Sequence, residues 1–239
     1  GEIVIAIGYS ESEAGTDLAS LKTKAIYENN NWLINGQKMW TSLAEYSDYI
    51  WLAVRTNPDS MDHKGLSILL VPNNSEGISI TPINTLGDVR TNATFYDNVI
   101  VSNKFLIGKK NKGWELITSQ LNRERLSLVN NAPLEKILTD VINWAKETTT
   151  DNGNKLIEED WVQNNLAKVQ TGTEALKLLC WKQAWAMTKN ELNMADASVA
   201  KVYGSEFFIE AYRLLMEVLG EQSLLSHKSQ QNILGGRLE

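Results

Sequence analysis

Apolar and polar residues alternate with a period of two through most of the first hundred positions. Trp32 and Ile34 show it, as do Tyr49, Trp51 and Ala53, the run Ser67–Val71, and the run Ala93–Val101. Alternation sends successive side chains to opposite faces, so each run predicts a strand with one face turned inward. Asn29-Asn30-Asn31, Asn57-Pro58-Asp59 and Asn73-Asn74 supply turns between the runs, and Pro58, Pro72 and Pro82 lie in this half. Short strands at this spacing predict an antiparallel β-barrel or sandwich over residues 1–108. At Lys109–Gly113 the period changes. Val162, Leu166, Val169, Thr173, Leu176 and Cys180 then recur at steps of three and four, and Phe208, Tyr212, Leu215 and Leu219 do the same. Such seams belong to bundle helices. Pro133 predicts a break and Thr148–Asn154 a loop. Strands followed by helices predict an α+β chain whose second part, residues 109–239, is an α-helical bundle.

Composition narrows the chemistry. The 239 residues carry a net charge of −6, and no basic stripe of the kind that nucleic acid requires is present. No run approaches the roughly 20 apolar residues needed to span a bilayer, and Glu2–Ile7 is too short for a signal peptide. Cys180 is the single cysteine, which excludes an internal disulfide and fits a reducing, cytoplasmic compartment. Its apolar neighbours, Leu179 and Trp181, make it a small core residue. With only His63 and His227 and no cysteine cluster, no metal site is expected.

Three stretches concentrate the remaining chemistry. Gly8–Leu21 reads GYSESEAGTDLASL, packing hydroxyls, carboxylates and small residues between two predicted strands. It suits a loop lying close to something flat, with a short turn after Asp17, although a plain turn has the same composition. Asn35–Ser42 reads NGQKMWTS, in which Trp40 by itself would suit a strand-end core position. Gln120–Leu128 reads QLNRERLSL, whose charges by themselves would suit a solvated helix face.

In this order and spacing the three stretches resemble the acyl-CoA dehydrogenase family of flavoenzymes, over almost the whole chain from Gly1 to about Gly236. The wording is nearest to the bacterial branch associated with sterol side-chain acyl-CoAs. The resemblance implies a middle β-domain followed by a C-terminal helical bundle, and FAD as cofactor. It implies that Ser10, beside Tyr9, hydrogen-bonds the pyrimidine edge of the flavin. Trp40 would pack against the ring system, with Thr41 next to it and Ser42 reaching the reactive N5. Thr16 would contact the thioester and pantetheine side of the substrate. Ser12 stands where the family usually has proline.

Removing the α-proton of a thioester needs a base, and a carboxylate in an apolar pocket suits the task. Many members place that glutamate late in the chain, at the position of Gly235, which here has no side chain. A minority place it on the first helix after the β-domain, and Glu124 matches that position. Arg125 would organise the substrate end of the pocket, and Asn122 stands where some relatives have aspartate. Glu217 and Gly220 resemble a QxLG run offered by a neighbouring subunit to the pyrophosphate side. There the chain departs from the pattern: Glu217 replaces glutamine, Glu221 replaces a small residue or proline, Gln163 an arginine and Arg237 a threonine.

These matches imply oxidation of an acyl-CoA to its trans-2-enoyl-CoA, with electrons passed to an electron-transfer flavoprotein, in a homo- or hetero-oligomer. Family members begin with a further helical domain and continue beyond Gly236, so the chain reads as a fragment or a truncated member. The alternative is a non-catalytic subunit or truncated pseudoenzyme that completes a partner dehydrogenase. An acyl-CoA oxidase is the remaining possibility within the family.

Overall fold

The computed structural model describes residues 1–60, 62–86, 89–189, 191 and 194–236, with the backbone alone at Leu126. Among these, the strands are β1 (Ile5–Gly8), β2 (Lys24–Glu28), β3 (Asn31–Lys38), β4 (Tyr49–Arg55), β5 (Leu66–Pro72), β6 (Ile78–Asn84), β7 (Arg90–Ser102) and β8 (Leu106–Ile107). They form one sheet in the order β6-β7-β3-β2-β4-β5-β8, with β1 beside β4. Most pairings are antiparallel, as the alternation predicts. β1 and β2 instead meet β4 in parallel, and Gly8 lies opposite Leu52. That crossover delivers the chain after Gly8 to the end of the sheet, where the first of the three stretches begins.

The inward face follows the period of two. Trp32 and Ile34 on β3, Ile50, Leu52 and Val54 on β4, and Leu69, Val71, Tyr96 and Val99 beyond them form one buried cluster. On β4 the core face is therefore the Ile50 set, while Tyr49 and Trp51 on the opposite face are half-buried. An aromatic as large as Trp32 removes roughly 200 Å² of surface from water, a gross gain of about 5 kcal/mol.

Four helices follow: α1 (Gly113–Ser127), α2 (Ala132–Glu147), α3 (Asp160–Thr188) and α4 (Met194–Leu219). Pro133 starts α2 and does not interrupt it, because the first helical turn needs no proline N–H. Val162, Leu166, Val169 and Leu176 of α3 pack with Leu134, Ile137, Leu138 and Val141 of α2 and with Leu214, Leu215, Val218 and Leu219 of α4. Phe208 and Tyr212 border this core only partly buried.

Contacts divide the chain into compact units at residues 1–120 and 121–239. The change of period lies earlier, at 108/109, because the opening turns of α1 pack with the sheet. Ile117 is fully buried, Trp114 meets His63 at 5.8 Å between ring centroids, and a Cβ on Gly113 would fall 2.7 Å from the Ser67 backbone.

Gly204 on α4 lets Val129 approach so closely that an added Cβ would lie 2.6 Å from the valine Cβ. Gly204→Ala is expected to lose about 1–3 kcal/mol by overpacking, despite the better helix propensity of alanine. Urea unfolding followed by far-UV circular dichroism checks it; unchanged stability would show that the two segments separate freely.

Candidate cofactor and substrate site

The loop after β1 is anchored from beneath. The Ser10 carbonyl accepts from the Met39 N–H at 2.8 Å, bringing the first stretch against the second. Lys38 Nζ donates to the Tyr9 carbonyl at 3.0 Å and to Glu11 Oε1 at 2.8 Å. Glu11 also accepts from the N–H groups of Lys22 at 2.7 Å and Thr23 at 2.9 Å. One carboxylate thereby ties both ends of the loop to β3. The lysine side chain is 0% exposed, and its burial pulls the amine down to about 8 against the attraction of Glu11. Burial works to raise the Glu11 carboxyl, but the Lys38 charge and the converging donors hold it below the usual carboxylate value.

Arg55 secures the far side of the same loop, donating to the carbonyls of Leu21 at 3.1 Å and Ala19 at 2.6 Å. Ser12, Glu13 and Thr16 stand on its exposed crest, where Glu13 pairs with Lys22. The short turn expected after Asp17 is present as Leu18–Ser20. Tyr9 is buried, and its hydroxyl accepts from Trp51 Nε1 at 2.9 Å.

The second stretch leaves β3 with a strained backbone. Trp40 and Leu43 have φ of 62° and 63°, a region that costs residues other than glycine of order 1–3 kcal/mol and persists where the surroundings enforce it. The enforcement comes from β7: Thr41 N–H donates to the Asn92 carbonyl at 2.9 Å, and Asn92 Nδ2 donates to the Thr41 carbonyl at 3.0 Å. Trp40 is consequently 57% exposed, which excludes a core role. Ser42 is exposed as well, with its hydroxyl 3.3 Å from that of Thr91. Thr41 Oγ1 and Asn92 Oδ1 are buried without a hydrogen-bond partner among the described residues. A flat indole held outward, hydroxyls at Ser10 and Ser42, and a strained connection between them fit a planar heteroaromatic ring with a polar edge. Flavin is such a ring, and these residues fit it.

In the helical unit, Glu124 is half-buried on α1. Next to it in sequence, Arg125 Nη1 donates to Asn122 Oδ1 at 3.1 Å and to Ser198 Oγ on α4 at 3.5 Å, which orients the guanidinium. Gly235 has φ of 73°, and a Cβ there would meet nothing within 4 Å. Glu217 accepts from Asn165 Nδ2 at 3.0 Å and from Arg213 Nη1 at 3.2 Å, so its charge is met within the chain. Gly220, with φ of 67°, opens the turn after α4. The Cys180 thiol donates to the Val129 carbonyl at 3.5 Å, and burial pushes its pKa up. Arg237 lies outside the described residues. Among the described residues no cluster of His, Cys, Asp and Glu could hold a metal ion, and no helix is long and apolar enough to cross a membrane.

The described residues form a β-sheet unit followed by a helical unit, with an outward indole at Trp40 and a half-buried carboxylate at Glu124 next in sequence to the Arg125 guanidinium. The chain belongs to the acyl-CoA dehydrogenase family: the model of its middle domain matches residues 6–99 and that of its C-terminal domain residues 111–235. It is 47% identical to acyl-CoA dehydrogenase FadE26 of Mycobacterium tuberculosis, over 100% of this chain and 61% of that protein. The crystal structure of the ChsE4–ChsE5 complex from the same organism superposes with a TM-score of 0.92 at 48% identity, covering 99% of this chain and 61% of that one. The Tcur3481–Tcur3483 steroid ACAD gives 0.93 at 41% identity, covering 99% and 60%. The chain thus spans about three fifths of the length of these relatives.

Glu11, Lys38, Arg55 and Asn92 escaped assignment from sequence. For Lys38 a signal was present, since it shares the inward parity of Trp32 and Ile34 on β3. Because the folded Glu11 carboxyl lies below its ordinary 4.5, the stability it contributes is complete above that value and is lost as pH falls through the folded one. The urea midpoints of wild type and Glu11→Gln, followed from about pH 7 to about pH 3, are expected to converge in acid. A constant gap across that range would show that the carboxylate charge contributes nothing.

Proposed function

We propose that this chain carries the flavin-binding and base-bearing parts of an FAD-dependent acyl-CoA dehydrogenase, which oxidises an acyl-CoA thioester to its trans-2-enoyl-CoA. The observation that carries the reading is the complementary pair of positions: Glu124 stands half-buried on α1 beside an oriented Arg125, while Gly235 offers no side chain. FAD, when bound, supplies the acceptor for the hydrogen that leaves the β-carbon as hydride.

Tyr9, Ser10, Trp40, Thr41 and Ser42 hold the ring, with the Ser10 hydroxyl at its polar edge and the Trp40 indole against it. Glu217 and Gly220 serve the pyrophosphate side; the charge of Glu217, met by Arg213 and Asn165, is a smaller obstacle to phosphate than its residue type suggests. Thr16 faces the thioester side of the substrate. Glu124 takes the α-proton onto its carboxylate, and Arg125, steadied by Asn122 and Ser198, fixes the substrate end.

The steroid ACAD relative supports a substrate of sterol origin. Two of the similar structures pair differently named chains, which supports a hetero-oligomer with a second chain of the same family. An exposed apolar stripe on α3, Leu178, Trp181 and Trp185, supports assembly too. An electron-transfer flavoprotein is the electron acceptor that the family implies, and the cytoplasm is the compartment. The same pairing favours a second reading, in which this chain completes a partner's site without turning over substrate itself.

The test uses the protein in its native assembly. Bound flavin is expected to bleach on adding a sterol-derived acyl-CoA. Glu124→Gln is expected to retain FAD and lower turnover by about 10²–10⁴-fold. Turnover near wild type would move the base to another residue or to the partner, as the second reading requires. Absence of flavin from every assembly would overturn the proposal.

A further inference from the structure

The buried pair under the candidate flavin loop has no part in the proposed chemistry, yet it joins every segment that would touch the ring. Lys38 is two residues from Trp40 and reaches the Tyr9 carbonyl and the Glu11 carboxylate, on either side of Ser10. Glu11 also holds the N–H groups of Lys22 and Thr23, so the loop is closed on itself as well as bound to β3. Ser10 is itself tied to the Trp40 stretch by the Met39 N–H to Ser10 carbonyl bond, which lies between these ionic anchors. Neither side chain has room to relocate, with 0% and 8% of their surfaces exposed.

We propose that Lys38 and Glu11 are positioning residues, whose ion pair sets the register between the Ser10 loop and the Trp40–Ser42 segment and so determines affinity for a flavin. The proposal rests on the flavoenzyme reading above, but the register itself is readable without any flavin. Ion pairing is the suitable device, because a buried lysine missing its carboxylate is strongly unfavourable and the loops cannot slide without parting the two. The lysine faces few other groups. Arg55 on β4 acts on it through space, and Thr94 lies opposite it on β7, hydrogen-bonded to a Tyr96 hydroxyl whose proton burial retains. The Lys22–Glu13 pair stands exposed at the rim.

Alkali gives the pair a signature that general loosening lacks. Above about 8 the folded amine loses its proton while an unfolded lysine keeps it up to its ordinary 10.5. Across that window the unfolded chain binds more protons, so the contribution of Lys38 to global stability rises with pH even as the ion pair disappears. Flavin affinity therefore falls where this contribution to stability does not.

The experiment compares wild type, Lys38→Met, Glu11→Gln and the double variant, each in its native assembly. Amide hydrogen exchange on flavin-free protein comes first. Lys38→Met is expected to speed exchange of the Lys22, Thr23 and Met39 amides by at least about tenfold, with the α2–α4 amides unchanged. FAD titration follows: wild-type affinity is expected to fall as pH rises through about 8, and the double variant to bind at least about tenfold more weakly with no such step. If Lys38→Met and the double variant do not fold, Glu11→Gln carries the comparison through exchange of the Lys22, Thr23 and Met39 amides and through its FAD affinity. Unchanged exchange in the variants, or the same alkaline step in the double variant, overturns the positioning role. A wild type that binds no FAD while the variants exchange faster overturns the flavoenzyme reading and leaves the register control standing.

Discussion

A lysine with no exposed surface persists in a fold only when its charge is answered, and Lys38 is answered by Glu11 and by the carbonyl of Tyr9. The desolvation penalty for each such ion is several kcal/mol, so the pair is a poor source of net stability. What it provides is definition. Two segments of mixed small and polar residues, with few apolar side chains to fix them, acquire one arrangement because any other would strand a buried charge. Arg55 extends the same logic to the loop's far end, where carbonyl oxygens of Ala19 and Leu21 converge on one guanidinium.

With the loop held, the strain beyond β3 becomes intelligible. Trp40 and Leu43 occupy the left-handed region because Asn92 on β7 grips Thr41 through two backbone-directed hydrogen bonds. The strain turns a large indole toward solvent in a unit whose other tryptophans are buried, as at Trp32, or half-buried, as at Trp51 and Trp114. A side chain worth several kcal/mol of burial is left at the surface, which suits the ring-stacking role proposed for it.

The helical unit obeys a simpler economy. Most of its seam positions are buried, with Cys180, Phe208 and Tyr212 only partly so, and close approach is achieved with small residues such as Ala197, Ala200 and Gly204 on α4. Against that regular background the polar contacts of α1 stand apart. Arg125 is fixed by Asn122 on its own helix and Ser198 on another, so the orientation of one guanidinium depends on how α1 and α4 pack.

By itself the sequence determined the class of fold and the family to which the chain belongs. A period of two up to about residue 108, and of three to four beyond, is a direct consequence of strand and helix geometry, and both halves folded accordingly. Family wording in NGQKMWTS and QLNRERLSL singled out Trp40, Ser42 and Glu124, because their sequence neighbours are specific even where each residue alone is not. Other features were settled only in three dimensions. Lys38 and Glu11 are 27 positions apart, and nothing local says that they meet. Thr41 and Asn92, 51 apart, are joined by the register of β3 against β7, which long-range pairing sets. The buried face of β4, the proline that begins α2, and the ending of the sheet unit within α1 likewise depend on neighbours that local pattern does not name. Periodicity is a property of one segment, whereas burial, strain and ion pairing are properties of two or more brought together, and only the folded chain assigns those.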